Sequence, residues 1–525
     1  MKSTASVTRA CHNNIATFCI LGILVAAPAA LSADAYTEPW RPQFHFTPAK
    51  NWMNDPNGLV YYDGEYHLFY QYNPFGDKWG HMSWGHAVSR DLVRWEHLPV
   101  ALYEENDVMI FSGSAVVDWK NTSGFGRDGK PPLIAIYTGN YTKKPLQNQN
   151  LAFSADRGRT WTKYEGNPAL DLGEKDFRDP KVFWHDATRR WIMVVAWPSH
   201  RNVRFYASPN LKEWTHLSDF GPAGSTNGVW ECPDLFPLAV ENQPGARKWA
   251  LIVNVGSGAP AGGSGCQYFV GDFDGQRFTL DAPGIHGAEP VSWADWARDF
   301  YAAVSWSDVP RRDSRRIWLG WMSNWDYAND VPTSPWRSAM TIPRALTLRK
   351  TEDGWRLVQR PVKELETLRG PASKTALTRV TAEADLSAVR GATTGLFELE
   401  ADLEPTTNAV FDLTVQTGAA EKTALRVNVP NHELTLDRAR SGVTAFHPRF
   451  AGAAKAPIRL IDGHVKLHLF VDASSLELFI NDGEATQTSL LFPTGSARRL
   501  DLQMAQGELR RARITAWPLA SAWRP

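Results

Sequence analysis

The chain has 525 residues, with 56 basic and 56 acidic, so its formal net charge is zero, and that argues against a polyanion partner, which needs a basic face. Apolar residues at 43% and charged residues at 21% exclude a disordered chain. The 23 Trp, 34 Pro and 39 Gly favour β-structure, with indoles either packed in a core or exposed to stack on flat ligands.

Residues 1–35 predict a secretory signal. Lys2 and Arg9 carry positive charge, Ile15 to Leu31 is apolar, and Ala33-Asp34-Ala35 fits a small-residue cleavage site. The apolar run contains Gly22 and Pro28 and is short for a membrane span. The expected mature protein is secreted or periplasmic, with no membrane attachment after cleavage. Cleavage would remove Cys11 and Cys19 and leave Cys232 and Cys266, too few for a disulfide framework. The sequence does not say whether those two pair.

Three segments then share a pattern: an acid-containing turn, an apolar strand, a turn and a second apolar strand. They open at Asp55-Pro56, Asp179-Pro180 and Glu231-Cys232-Pro233. Weaker starts fall at Phe111-Ser112-Gly113 and at Phe300-Tyr301. A second marker keeps step with them. Ser89-Arg90-Asp91-Leu92 before Trp95 is echoed by Ser208-Pro209-Asn210-Leu211 before Trp214, by Ser154 to Trp161, and faintly by Asp274-Gly275. Five such units, each with room for four short strands, predict an all-β chain that begins as a five-bladed β-propeller over 36–360. Blades are related by rotation about a channel, so Asp55, Asp179 and Glu231, at matched positions, would converge at one mouth.

Residues 361–370 read as a linker with a helical turn or two. Alternating runs from Leu396 to Ile480 and the hairpin signal Asn481-Asp482-Gly483 predict a C-terminal β-sandwich over 371–525. No chemical constellation stands out in it.

Paired carboxylates across a pocket are the equipment of glycosidic bond cleavage. One attacks the anomeric carbon and must be ionised. The other protonates the leaving oxygen and needs a raised pKa. A third can hold hydroxyls and stabilise the cationic transition state. Trp52, Trp79, Trp84, Trp230 and Trp325 supply aromatic faces for a sugar, or blade packing. No loop carries the clustered oxygens of a hard-cation site, so no metal or cofactor is expected.

Trp52-Met53-Asn54-Asp55-Pro56-Asn57-Gly58 resembles the signature of glycoside hydrolase family 32, the β-fructosidases. Gln71-Tyr72-Asn73-Pro74, Phe111-Ser112-Gly113, Phe177-Arg178-Asp179-Pro180, Trp230-Glu231-Cys232-Pro233-Asp234 and Trp321 to Arg337 follow in the family's order. Gly262 to Gly275 and Trp325 to Thr333 look most like levanases and exo-inulinases. The resemblance implies Asp55 as nucleophile, Glu231 as acid and base, and Asp179 as transition-state stabiliser beside Arg178. It implies a fructose pocket lined by Asn54, Gln71, Trp79, Phe111, Ser112 and Trp325. The reaction would be retaining, with the two carboxyl groups roughly 5–5.5 Å apart, and exo-acting on levan, inulin or sucrose. A fructosyltransferase of the same fold is the nearest alternative. A sialidase, suggested by the Asp-box pattern Ser154 to Trp161, and an inactive carbohydrate-binding propeller are further ones.

Overall fold

The structure, a computed structural model, describes residues 1–2, 36–281, 290–418, 420–496 and 498–523. The predicted leader, its cleavage site, Cys11 and Cys19 lie outside the described residues. Among the described residues no helix is long and apolar enough to cross a membrane. Among the described residues helix is limited to three short 3-10 segments.

Five sheets fill the first part of the chain. Their innermost strands are Asn51–Tyr62, Val108–Val117, Arg178–His185, Trp230–Ala239 and Tyr301–Ser305. These neighbour one another in chain order around a ring, and the last touches the first. Trp336–Arg337 pairs in parallel with Asn51–Trp52 and ties the end of the ring to its start. This is a five-bladed propeller, and each of the five repeat starts falls at or beside an innermost strand. The acids were expected in turns, but they lie inside the strands. The reason is visible in Asp55-Pro56, Asp179-Pro180 and Cys232-Pro233. Beyond the short pairing at Asn51–Trp52, an innermost strand is a sheet edge, where Pro costs no ladder hydrogen bond.

The second marker forms the turn between the third and fourth strands of four blades. Asp91 Oδ1 accepts the N–H groups of Val93 and Arg94 at 3.0 and 2.8 Å. Asn210 Oδ1 accepts those of Lys212 and Glu213, both at 3.0 Å. Asp156 and Asp274 act alike. The next residue is left-handed each time: Leu92, Arg157, Leu211 and Gly275 have φ of 64°, 62°, 68° and 91°. A side-chain oxygen that caps the turn offsets that strain. The Asp-box-like copy at Ser154 to Trp161 is one of these four turns, so blade architecture accounts for it.

The last propeller strand, Gly354–Pro361, leads into the 3-10 turn Lys363–Leu368. Two six-stranded sheets follow. In strands such as Val465–Val471 the inward residues Val465, Leu467 and Leu469 are buried, the alternation of a sandwich. Asn481-Asp482-Gly483 makes the tight turn between Ser475–Ile480 and Ala485–Leu490, all three residues at positive φ.

Buried charge joins the two parts. His45, before the first blade, meets Asp472 Oδ2 at 2.7 Å and Glu477 Oε1 at 2.9 Å, both from the sandwich. Arg344 of the last blade donates through Nε and Nη2 to Glu477 Oε2. All four side chains are essentially inaccessible. Burial works against a charged His45, but the hydrogen bonds to Asp472 and Glu477 win and hold its pKa at about 9. The folded pKa lies above the unfolded one, so this stabilisation is complete below about pH 6.5 and lost as pH rises through 9. A shift of that size corresponds to about 3 kcal/mol. The melting temperature should therefore fall between pH 6.5 and 9. His45→Gln should lower it at pH 6.5 and flatten the fall. Parallel pH profiles for the two proteins would show that His45 does not carry the effect.

Candidate active site

Each innermost strand is bulged at the same end. Asp55 is an extra residue between the pairs Asn54–Gln71 and Pro56–Tyr70. Phe111 and Ser112 together face one residue of the neighbouring strand, as do Asp179 and Pro180, Cys232 and Pro233, and Ala302 and Ala303. A bulge swings side chains out of the alternation and frees backbone groups. Here it turns Asp55 and Asp179 into the channel mouth, while Glu231, paired with Asn254, stands one residue before the bulge of its blade. Asp179, Cys232 and Ala302 pay with left-handed φ of 66°, 43° and 52°.

The freed N–H groups bond around the ring. Asp179 N–H donates to Thr138 Oγ1 at 2.9 Å, and Cys232 N–H to Asp179 Oδ2 at 2.9 Å. Gly113 N–H reaches Asn57 Oδ1 at 3.3 Å. In these three blades a backbone N–H at the bulge is thus satisfied by a side chain of the neighbouring blade.

The three acids meet at one mouth. Asp55 is 8% exposed and Asp179 5%. Ser112 Oγ donates to Asp55 Oδ2 at 2.8 Å, and Asp55 Oδ1 has no partner among the described residues. Cys232 Sγ lies 3.5 Å from Asp55 Oδ2 and 3.6 Å from Asp179 Oδ2. Glu231 is held at both oxygens. Arg178 Nε donates to Oε1 at 3.0 Å, and the Tyr301 hydroxyl donates to Oε2. Arg178 is itself fixed by Gln147 Oε1 at 3.2 Å and Asp176 Oδ1 at 3.0 Å.

Burial sets the charge states. It raises the Asp55 pKa, with Glu231 adding to the rise, against hydrogen bonds from Asn54 and Ser112. Burial likewise lifts Asp179 to about 7, with the Arg178 guanidinium opposing and the charges of Glu231 and Asp55 assisting. Burial and Glu231 hold Tyr301 well above the phenol range, so its hydroxyl remains a donor.

The other predicted residues surround these acids. Asn54 Oδ1 accepts Trp52 Nε1 at 2.7 Å, and Gln71 Nε2 donates to Ile110 O at 3.0 Å. Trp325 stacks on Trp52 with ring centres 6.2 Å apart. Trp79, 41% exposed, stands edge-on to Phe111 at 6.1 Å and forms the rim. Two indoles belong elsewhere. Trp230 is fully buried between blades and donates to Ser225 O, so it is core and not pocket. Trp84 is buried behind the pocket and donates to Phe111 O.

Sequence reasoning missed Tyr301, Thr138 and Gln147. Tyr301 had a signal, since it stands at the matched position of the weak fifth repeat. Cys232 is buried and bridges two carboxylates; it and Cys266, whose pairing the sequence leaves open, are free thiols. Among the described residues, the side chains close enough to share a metal are Glu398, Glu400 and His468, in the sandwich. Arg369 already bonds both oxygens of Glu398 there, at 2.6 and 2.7 Å.

The model of the glycosyl hydrolases family 32 N-terminal domain matches residues 45–361, and that of the family's C-terminal domain matches 364–518. A levanase of Bacillus subtilis (strain 168) is 52% identical over 504 residues, 94% of this chain and 73% of that protein. An extracellular exo-inulinase of Aspergillus ficuum is 40% identical over 535 residues, 95% of this chain and 98% of that protein. The crystal structure of an exo-inulinase from Aspergillus awamori superposes with a TM-score of 0.88 at 38% identity, covering 93% of this chain and all of that one. Matched in both domains and along nearly its whole length, the chain belongs to glycoside hydrolase family 32 and is a glycoside hydrolase.

Proposed function

We propose that the protein is a secreted, retaining exo-β-fructosidase that releases fructose from levan or inulin, and from sucrose. The observation that carries this reading is the contrast between two carboxylates. Asp55 is buried with one oxygen anchored by Ser112 and the other unpartnered. Glu231 is more exposed and held at both oxygens by Arg178 and Tyr301. The first is the shape of a nucleophile, the second of an oriented proton donor.

The Asp55 carboxylate would attack the anomeric carbon as Glu231 gives its proton to the glycosidic oxygen, and the leaving sugar departs neutral. The covalent fructosyl-enzyme then forms. Glu231, now a carboxylate, takes a proton from water, and the hydroxide equivalent displaces Asp55. Asp179 would bond fructosyl hydroxyls and stabilise the positive charge that develops between the two steps. Trp325 and Trp52 offer an apolar wall, and Trp79 and Phe111 a rim for the next sugar. The chemical step calls on no metal, and none of these roles needs a group outside the chain. Export is supported by the leader-like first 35 residues and by the extracellular relative, and exo action by a pocket set in one mouth of the channel.

Asp55→Asn should abolish fructose release while the protein still melts cooperatively. Glu231→Gln should slow natural fructans by orders of magnitude and activated aryl fructosides far less, because a good leaving group needs no proton. Equal losses on both substrates would remove Glu231 from the acid role. Chromatography of early products from sucrose, inulin and levan tests the rest: fructose alone means exo action, and a ladder of oligomers means endo.

Ser112 stabilises ionised Asp55 by a hydrogen bond. Ser112→Ala should raise the Asp55 pKa further. The acid limb of the kcat/KM profile should then move to higher pH, by about one unit if the bond contributes ~1.4 kcal/mol. A lowered kcat with an unmoved limb would limit Ser112 to positioning.

A further inference from the structure

The innermost strands have two ends, and the acids occupy only the first. The second end opens on a cavity of about 800 Å³, within the size range of ligand pockets. Six residues of strand separate Asp179 from His185 on its wall, a distance of about 20 Å at ~3.3 Å per residue.

Indoles dominate this far mouth: Trp119, Trp184 and Trp249 all line it. Trp119 is 60% exposed but not loose. Its Nε1 donates to Asp308 Oδ1 at 2.8 Å, and the Tyr62 ring packs 5.9 Å away. An exposed indole held by its edge and backed by a second ring presents a fixed apolar face. Trp184 carries the Lys120 ammonium 4.2 Å from its ring centre, and its buried Nε1 lacks a partner among the described residues. Across the rim Arg311 and Asp186 stand 3.5 Å apart, 95% and 77% exposed. Such an exposed pair is worth little to stability, so both groups can turn to a ligand.

Lys120, Lys181, Arg311 and Arg316 line the cavity with Asp186 and Asp308; Lys181 is paired with Asp234 at 3.3 Å and Arg316 donates to Trp306 O at 3.0 Å, which leaves Lys120 and Arg311 against Asp186 and Asp308. That does not select for a phosphate or a polycation. Flat rings beside mixed donors and acceptors suit a neutral polyhydroxylated chain, whose C–H faces stack while its hydroxyls bond to the rim.

We propose that the far mouth is a second carbohydrate site, which holds a fructan chain by regions remote from the end being cut. That the sugar is fructan rests on the function proposed above; the site itself rests on the cavity. The test uses full-length Asp55→Asn protein in affinity gels cast with levan, inulin or dextran, with excess sucrose to occupy the acid mouth. Levan or inulin should retard the protein and dextran should not. Adding Trp119→Ala or Trp184→Ala should weaken retention about tenfold, and Trp119→Phe should largely keep it. In the otherwise unsubstituted enzyme, Trp119→Ala should leave kcat and KM on sucrose unchanged. No retardation with sucrose present, equal retardation by dextran, or undiminished retention in both Trp→Ala variants would overturn the second site. Failure of the unsubstituted enzyme to hydrolyse sucrose would instead overturn the function, and the gels would still report on the cavity.

Discussion

Everything at the acid mouth depends on one backbone constraint, the extra residue in each innermost strand. A regular strand alternates its side chains between the two faces of a blade and sends none straight along the channel. One surplus residue breaks that alternation, bends the strand and aims a side chain at the axis. The bulge has two costs. It forces left-handed φ on Asp179, Cys232 and Ala302, and it unpairs backbone N–H groups. The second cost is met by donors and acceptors that are themselves site residues, as when Asp179 accepts from the bulged Cys232. Strain relief and site assembly are therefore one set of hydrogen bonds.

The sandwich takes part in this arrangement. Arg438, on its strand Glu433–Arg440, bonds the Tyr327 hydroxyl at 2.8 Å and also Asp299, and Tyr327 donates to the same carboxylate. Arg449 reaches Asp326 at 2.7 Å. Both contacts land on the loop that carries Trp325, and Asn329 of that loop accepts the backbone N–H of Trp79 at 3.1 Å. Trp325 thus sits on, and Trp79 is tied to, a loop braced by the second domain. Buried charged groups with several partners are the reason the brace is rigid, since a broken partner would leave an uncompensated charge. The interface network of His45, Arg344 and Glu477 acts at the same junction.

What the sequence showed and what it hid follow from this physics. Asp55 and Asp179 are legible because rotation repeats a residue at a fixed place in each unit; Glu231, expected at that same place, lies one residue earlier, and Cys232 occupies the equivalent position. The turn marker was legible because an Asp or Asn must precede a left-handed residue, and Leu92 or Leu211 in that conformation needs the cap. Bulges were not legible, because inserting one residue leaves no compositional mark; the acids were taken for turn residues for that reason. The sequence offers Trp230, with the other indoles of this region, as a sugar face or as blade packing. Trp230 and Glu231 pair regularly with Val255 and Asn254, before the bulge, where adjacent side chains point to opposite faces, so beside channel-facing Glu231 the indole turns into the core. Tyr301 was hidden by the faintness of the fifth repeat, and Arg178's partner Gln147 lies on another blade.

The zero net charge hides a strong local imbalance. Three carboxylates share one mouth, and burial raises Asp55 and brings Asp179 to about 7. Such groups cost stability when ionised, because the folded state resists a charge that the unfolded state accepts. The Arg178 guanidinium relieves part of that cost, but its contact is with Glu231 at 3.0 Å, while Asp179 lies 4.0 Å from it. Asp55 and Asp179 touch the same neutral thiol instead. Burial and neighbouring carboxylate charge thus raise both. A substrate that develops positive charge at this spot offsets that repulsion. It would lower both pKa values as it forms, so the anions grow more stable along the reaction coordinate. On the function proposed, the resting enzyme's unfavourable charge is what makes the site complementary to the transition state rather than to the bound sugar.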